Sequence, residues 1–219
     1  MKTASFLTVL GLSFLTSCAS SGSTWQALHL QDFRSPGKTD INAGSWSESD
    51  GVIHSSGKGD DLLSRKNYAD FALELEWSIS PKGNSGIFFR GIEQAGKPYY
   101  ESAIEMQVLD NSSFPPDKQA NNPHVAGSLY AMIAADPSLP KPVGDWNLVR
   151  IICKGKHLET WLNGRKTADI EIGSSSWNAL VNKSKFKDWH SFAIATSGPL
   201  GLQCHDDQVS YRNIRIREL

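Results

Sequence analysis

Glu105 and Gln107 stand two residues apart in the run Glu105-Met106-Gln107-Val108-Leu109-Asp110. Successive side chains of an extended chain point to opposite faces, so these two share a face with Leu109, while Met106 and Val108 share the other. One face suits a core, and the other presents a carboxylate beside a carboxamide. Such a pair binds a sugar hydroxyl, holds a metal ion or moves a proton. A solvated face of an antiparallel sheet carries the same alternation, so the surroundings have to distinguish the two.

The elements that must position this pair read as strands. Trp46 to Ile53 forms a hairpin around Ser49-Asp50-Gly51, a turn that tolerates positive φ. Phe71, Leu73, Leu75, Trp77 and Ile79 alternate with Ala72, Glu74, Glu76 and Ser78, the period of a half-buried strand. Ile87 to Arg90 and Ser102 to Leu109 follow. The stretch from Asp110 to Ala126 is rich in Pro and Asn and reads as a long loop, with Asp110 as a turn former. Trp146 to Lys154, His157 to Leu162 and Lys166 to Ile172 pair around Gly155 and Asn163-Gly164. Trp177 to Val181 reads as a helical turn, and Ser191 to Thr196, Leu200 to His205 and Val209 to Arg217 close the chain as strands. With no long helical stripe and no alternation of strand and helix, the pattern predicts an all-β, two-sheet sandwich.

The chain has 219 residues with 22 basic and 23 acidic side chains, a net charge of −1. Such balance argues against nucleic acid and against an electrostatic membrane surface as partner. Lys2, the apolar run Phe6 to Leu15 and then Leu15-Thr16-Ser17-Cys18 resemble a bacterial lipoprotein signal over residues 1–17. Cleavage before Cys18 leaves 219 − 17 = 202 residues, with lipid on Cys18, a tether over residues 18–24 and a single domain over residues 25–219. This places the protein outside the cytoplasm, held at the cell envelope by its lipid alone. Cys153 and Cys204 sit in apolar strand-like runs and read as free thiols in preference to a disulfide.

Several segments taken in order resemble the 3-keto-disaccharide hydrolase family. They are Trp46 to Val52, Tyr68-Ala69-Asp70-Phe71, Gly83-Asn84-Ser85-Gly86-Ile87-Phe88-Phe89-Arg90, Ile104 to Asp110 and Gly127-Ser128-Leu129-Tyr130. Gly144-Asp145-Trp146-Asn147, Trp161-Leu162-Asn163-Gly164, Gly201-Leu202-Gln203-Cys204-His205 and Arg212 to Ile216 complete the set. The resemblance implies a jelly-roll sandwich of the concanavalin A-like lectin and glucanase type. It also implies action on glycosides whose C3 hydroxyl a separate glycoside 3-dehydrogenase has oxidised. One departure stands out. The family's Leu-Gln-Asp-His-Gly is here Leu202-Gln203-Cys204-His205-Asp206, so His205 is kept and the neighbouring acid is lost.

A ketone at C3 acidifies the C2 proton, and its removal expels the C1 substituent by β-elimination; water added to the enone completes a net hydrolysis. This chemistry needs a base, a group at the C3 oxygen and an acid at the leaving oxygen. Glu105 is the first candidate, as base or as ligand to one divalent metal ion. His205 follows as proton shuttle or metal ligand, and Tyr130 as acid. No organic cofactor is implied. Arg90 is expected on the face of Phe88, binding sugar or enolate oxygen or pairing with Glu105. Gln107, His124 in the long loop and Trp161 beside the Asn163-Gly164 turn are candidates for holding the oligosaccharide or glycoside substrate. Two other classes remain: a conventional glycoside hydrolase, which needs a second carboxylate across the bond, and a non-catalytic carbohydrate-binding lipoprotein.

Overall fold

A computed structural model describes residues 24–219. The signal-like segment and Cys18 lie outside them. Among the described residues thirteen strands occur, in the order β1 (Gln26–Ala27), β2 (Phe33–Arg34), β3 (Trp46–Ser49), β4 (Val52–Ser55), β5 (Leu62–Tyr68), β6 (Phe71–Ile79) and β7 (Asn84–Phe89). They continue with β8 (Ile104–Leu109), β9 (Asn147–Lys154), β10 (His157–Leu162), β11 (Arg165–Glu171), β12 (Gly198–Leu202) and β13 (Val209–Glu218). Among the described residues one α-helix, α1 (Ser175–Lys183), precedes β12, and the Ser174 hydroxyl accepts from the Trp177 amide to cap it.

The strands form two antiparallel sheets, in the orders β11-β10-β9-β6-β13-β4-β3 and β2-β5-β12-β7-β8, with β1 added to β13. This is the sandwich that the alternation predicts. The inward residues Trp77, Phe71, Leu73 and Leu75 of one sheet and Ile87, Phe89, Met106 and Leu202 of the other belong to one buried cluster.

Three parts of the sequence reading are corrected. The strand β5 escaped notice because Leu62-Leu63-Ser64 is buried and Arg65-Lys66-Asn67 exposed, which gives no period of two. Ser191 to Thr196 is not a strand. It turns, with Phe192 and Ala193 buried and Ala193 at φ 55°. Finally, β7 ends at Phe89, and Arg90 at φ 51° breaks the alternation with Phe88. Cys153 and Cys204 are both free thiols.

A polar tie crosses the core beneath the outer face of the β8 sheet. Ser85 Oγ lies 2.7 Å from the Gln203 carbonyl and 2.8 Å from the Tyr211 hydroxyl. A carbonyl only accepts, so the single Ser85 proton goes to Gln203 and Tyr211 donates to Ser85. Removing either partner is therefore unequal. Tyr211→Phe leaves Ser85 satisfied and costs about 1 kcal/mol, whereas Ser85→Ala strands a buried phenol and costs about 2–3 kcal/mol. Urea denaturation midpoints of the two variants check the order, and equal losses contradict this assignment of the proton.

Candidate functional site

The register fixes what faces outward from the β8 sheet. Leu63 pairs with Gly201, Gly201 with Phe88 and Phe88 with Glu105. Tyr130, on a strip running along the free edge of β8, donates its amide to the Glu105 carbonyl at 3.0 Å. In the next row, the Gln203 amide reaches the Gly86 carbonyl at 2.9 Å, Gly86 pairs with Gln107, and the Gln107 amide reaches Ser128 at 3.0 Å. Glu105 and Gln107 thus share the outer face, as their spacing predicts, while Ile104, Met106 and Val108 belong to the core.

A cleft of about 350 Å³ opens over these rows, lined by Asn84, Glu105, Gln107, Gln203 and His205 on the sheet side. Tyr100, Tyr130, Lys185, Phe186 and Trp189 form its walls. The fold thus brings together Glu105, Gln107, Tyr130 and His205, each of which lies in one of the quoted motifs. Asn84 and Gln203, which lie inside the quoted motifs, were not singled out. Lys185 and Trp189 carried no signal in sequence. They come from the crossing between β11 and β12, where Phe186 stacks on Phe192 with ring centroids 3.8 Å apart, and Phe192 lies parallel to Trp177. That stack anchors the wall.

Glu105 is the electrostatic centre. Only 9% of it is exposed, and burial pushes its carboxyl up to about 8, with Lys185 opposing and the charge of Asp61 reinforcing. Gly86 makes the space for it, because a Cβ there would lie 2.4 Å from Glu105 Oε1. With its amide nitrogen turned toward acceptors, Gln107 donates to Glu105 Oε1 at 3.0 Å and to the Ser85 carbonyl at 3.2 Å. Lys185, at the exposed rim, holds its ammonium 4.3 Å from the centre of the Tyr130 ring. Desolvation there lowers its pKa against the pull of Glu105. Burial likewise raises the Tyr130 phenol, with Glu105 adding to it.

Asp61 is an acid that the sequence reading passed over. Its carboxylate accepts from the Cys204 amide at 2.9 Å, and burial pushes it up to about 6, opposed by that amide and by His205. A carboxyl group therefore stands beside residue 204 although the side chain there is a thiol. The buried Gln203 Oε1 has no hydrogen-bond partner among the described residues, so the cleft offers an acceptor awaiting a donor or a cation.

Three expected site residues stand elsewhere. Arg90 is 3% exposed and donates to the Ala69 and Gly155 carbonyls and to Asp70. It clamps a corner between strands and pairs with Asp70, not with Glu105, because its left-handed backbone turns the side chain away. Trp161 lies between buried Thr160 and Leu162 on the outer face of the other sheet, under Lys166 Nζ at 5.0 Å, on the far side of the sandwich. His124 packs edge-on to Tyr130 at 4.9 Å and bonds Asn122; it backs the wall without lining the cleft. Asp110 accepts from the amides of Lys82 and Ser112, as a turn former does.

Two measurements follow from this geometry. Gly86→Ala is expected to displace the Glu105 carboxylate and cut activity by about 100-fold, while the melting temperature falls by only a few degrees. A carboxyl with a folded pKa raised from 4.5 to about 8 binds more protons folded than unfolded across that range. Its stability contribution is therefore lost as pH rises through it. Glu105→Gln is thus expected to be more stable than the parent at pH 9, by on the order of 5 kcal/mol, and nearly equal at pH 4. Denaturant titrations at both pH values check this, and a constant difference would refute the shift.

Comparison with known proteins places this architecture. A curated 3-keto-disaccharide hydrolase of Bacteroides thetaiotaomicron is 34% identical over 208 residues, covering 85% of this chain and 72% of that protein. A Parabacteroides distasonis structure named as a glycosyl hydrolase superposes with a TM-score of 0.77 at 26% identity, covering 86% of this chain and 89% of its own. A Bacillus subtilis protein of galectin-like fold, at a TM-score of 0.55 and 14% identity, covering 86% of this chain and 90% of its own, shares the fold alone. The profile of the 3-keto-alpha-glucoside-1,2-lyase-like domain matches residues 23–217, and the chain belongs to that family.

Proposed function

We propose that the protein cleaves glycosides bearing a ketone at C3, with Glu105 as the base that takes the C2 proton. The observation that carries this reading is a buried carboxyl, raised to about 8 by desolvation, at the floor of a polar and aromatic cleft in a fold of this family. Near neutrality such a group balances basicity against the fraction ionised. Removal of the proton leaves an enolate, and the ammonium of Lys185 and the amide of Asn84 are the donors that meet its oxygens. Tyr130, whose phenol stays protonated, delivers a proton to the departing C1 oxygen. Water added to the enone at C1, with a proton returned to C2, gives the free keto sugar and completes a net hydrolysis. His205, at the exposed edge, exchanges protons with solvent.

A conventional glycosidase needs two carboxyl groups facing across the scissile bond. Among the described residues Glu105 is the only carboxylate lining the cleft, which favours elimination. The donor set of His205 and the carboxamide oxygens of Gln203 and Asn84 suits a hard divalent ion, with Glu105 as a further ligand only in place of its role as base, and the unpartnered Gln203 Oε1 is an acceptor for one. Those residues would hold it, and it would supply polarisation of the C3 carbonyl. The reaction that furnishes the ketone is an oxidation at C3 by a separate dehydrogenase. A lipid on Cys18 would fix the enzyme to the envelope.

Aglycone release from a 3-keto-glucoside and its unoxidised parent, with and without chelator, tests the proposal. Release is expected from the keto compound alone, rising with pH to a plateau above about pH 8 and falling by about 10³-fold or more in Glu105→Gln. Loss with chelator and recovery with a divalent ion would establish the metal. Release from the parent alone would overturn the elimination and restore an ordinary glycosidase.

A further inference from the structure

The sheet opposite the cleft carries a depression of its own, about 280 Å³, lined by Glu74, Leu148, Arg150, Trp161 and Gly164. Strand register builds it. Trp161 of β10 pairs with Arg150 of β9, and Arg150 pairs with Glu74 of β6, so the three stand in one row across the outer face. Leu148 lies two residues before Arg150 on the same face and is 46% exposed. Gly164, in the turn after β10, has nothing within 4 Å of the place a Cβ would take, so that side of the depression stays open.

Its polar groups are only partly used. Both hydrogen bonds that Arg215 donates to Glu74 fall on Oε2. Glu74 Oε1 has the Arg150 guanidinium 3.8 Å away, too far for a hydrogen bond. Among the described residues, the Arg150 guanidinium donates to no other group, so an acceptor and a set of donors stand side by side with capacity left. Trp161 is held next to them, its Nε1 donating to Glu159 at 3.4 Å and Lys166 Nζ lying over its ring at 5.0 Å. Lys166 is not among the lining residues, and the indole also presents surface to the depression.

A ligand for this place needs an apolar face for Trp161 and Leu148, an acceptor for Arg150 and a donor for Glu74. The two opposite charges leave no net sign, which disfavours an anion or a cation. A sugar hydroxyl both donates and accepts, and the C–H face of a pyranose packs on an indole. We infer that this depression is a separate, non-catalytic glycan site, which holds a neutral ring bearing no ketone. It stands back to back with the Glu105 cleft across the sandwich, so the protein keeps hold of one glycan while the cleft is free. The inference uses no residue of the cleft and stands whether or not the keto-glycoside reading does.

Calorimetric titration of the full chain with the tetrasaccharides of α-1,4-glucan, β-1,4-xylan and β-1,4-mannan tests it. At least one is expected to bind. Trp161→Ala and Arg150→Ala are each expected to weaken that binding by about tenfold, with thermal melts confirming that the variants are folded. Lys185→Ala, a change in the cleft, is expected to leave it unaltered. Binding that is lost in Lys185→Ala and kept in Trp161→Ala assigns the sugar to the cleft and overturns the inference. Failure of all three sugars to bind overturns it too. Sedimentation showing a dimer that Arg150→Ala dissolves would give this face to a second copy of the chain, and would overturn it as well.

Discussion

The site depends on keeping one carboxyl group out of water on the outer face of a sheet. Outer faces are normally solvated, and a carboxylate there would be ionised and unremarkable in its basicity. Here three neighbours remove the water. Gly86 gives the carboxyl room to lie down against the sheet, Gln107 holds one oxygen, and the walls carrying Tyr130, Lys185 and Phe186 close over it. The same burial that makes Glu105 basic costs stability when it ionises. Function and stability therefore pull in opposite directions at this residue.

The rest of the molecule serves as the frame for that arrangement. Ser85, between Asn84 and Gly86, faces inward and ties to Tyr211 of the opposite sheet and to the Gln203 carbonyl. One inward residue thus fixes three outward ones. The Phe186, Phe192 and Trp177 stack does the same for the crossing segment, which brings Lys185 and Trp189 to the rim. Arg90 contributes at a distance, by clamping the Ala69 and Gly155 carbonyls at the corner where β7 ends.

Legibility followed local period. Strands such as β6 and β8 alternate cleanly, so their faces and the shared orientation of Glu105 and Gln107 could be read directly. The strand β5 is buried on three successive residues and exposed on the next three, which no period reveals. Ser191 to Thr196 looked like a strand because Phe192 and Ile194 alternate, but one is core and the other faces solvent. Arg90 misled for a similar reason: alternation with Phe88 presumes an extended backbone, and its positive φ ends that presumption. Trp161 shows the remaining limit, since aromatic character beside a turn says nothing of which sheet carries it.

By itself, the sequence determined that the chain forms many antiparallel strands, which of their residues face a core, and that a carboxylate and a carboxamide share one outward face. The ordered motifs also brought Tyr130 and His205 into consideration. Only the tertiary structure decided that these four residues meet, that Lys185 and Trp189 complete the cleft, and that Asp61 stands beside Cys204. The physical reason is range. Strand period acts between residues two apart, whereas the burial of Glu105 also takes Tyr130, 25 positions on, and Lys185 and Phe186, 80 and 81 positions on, which the fold brings to the same cleft.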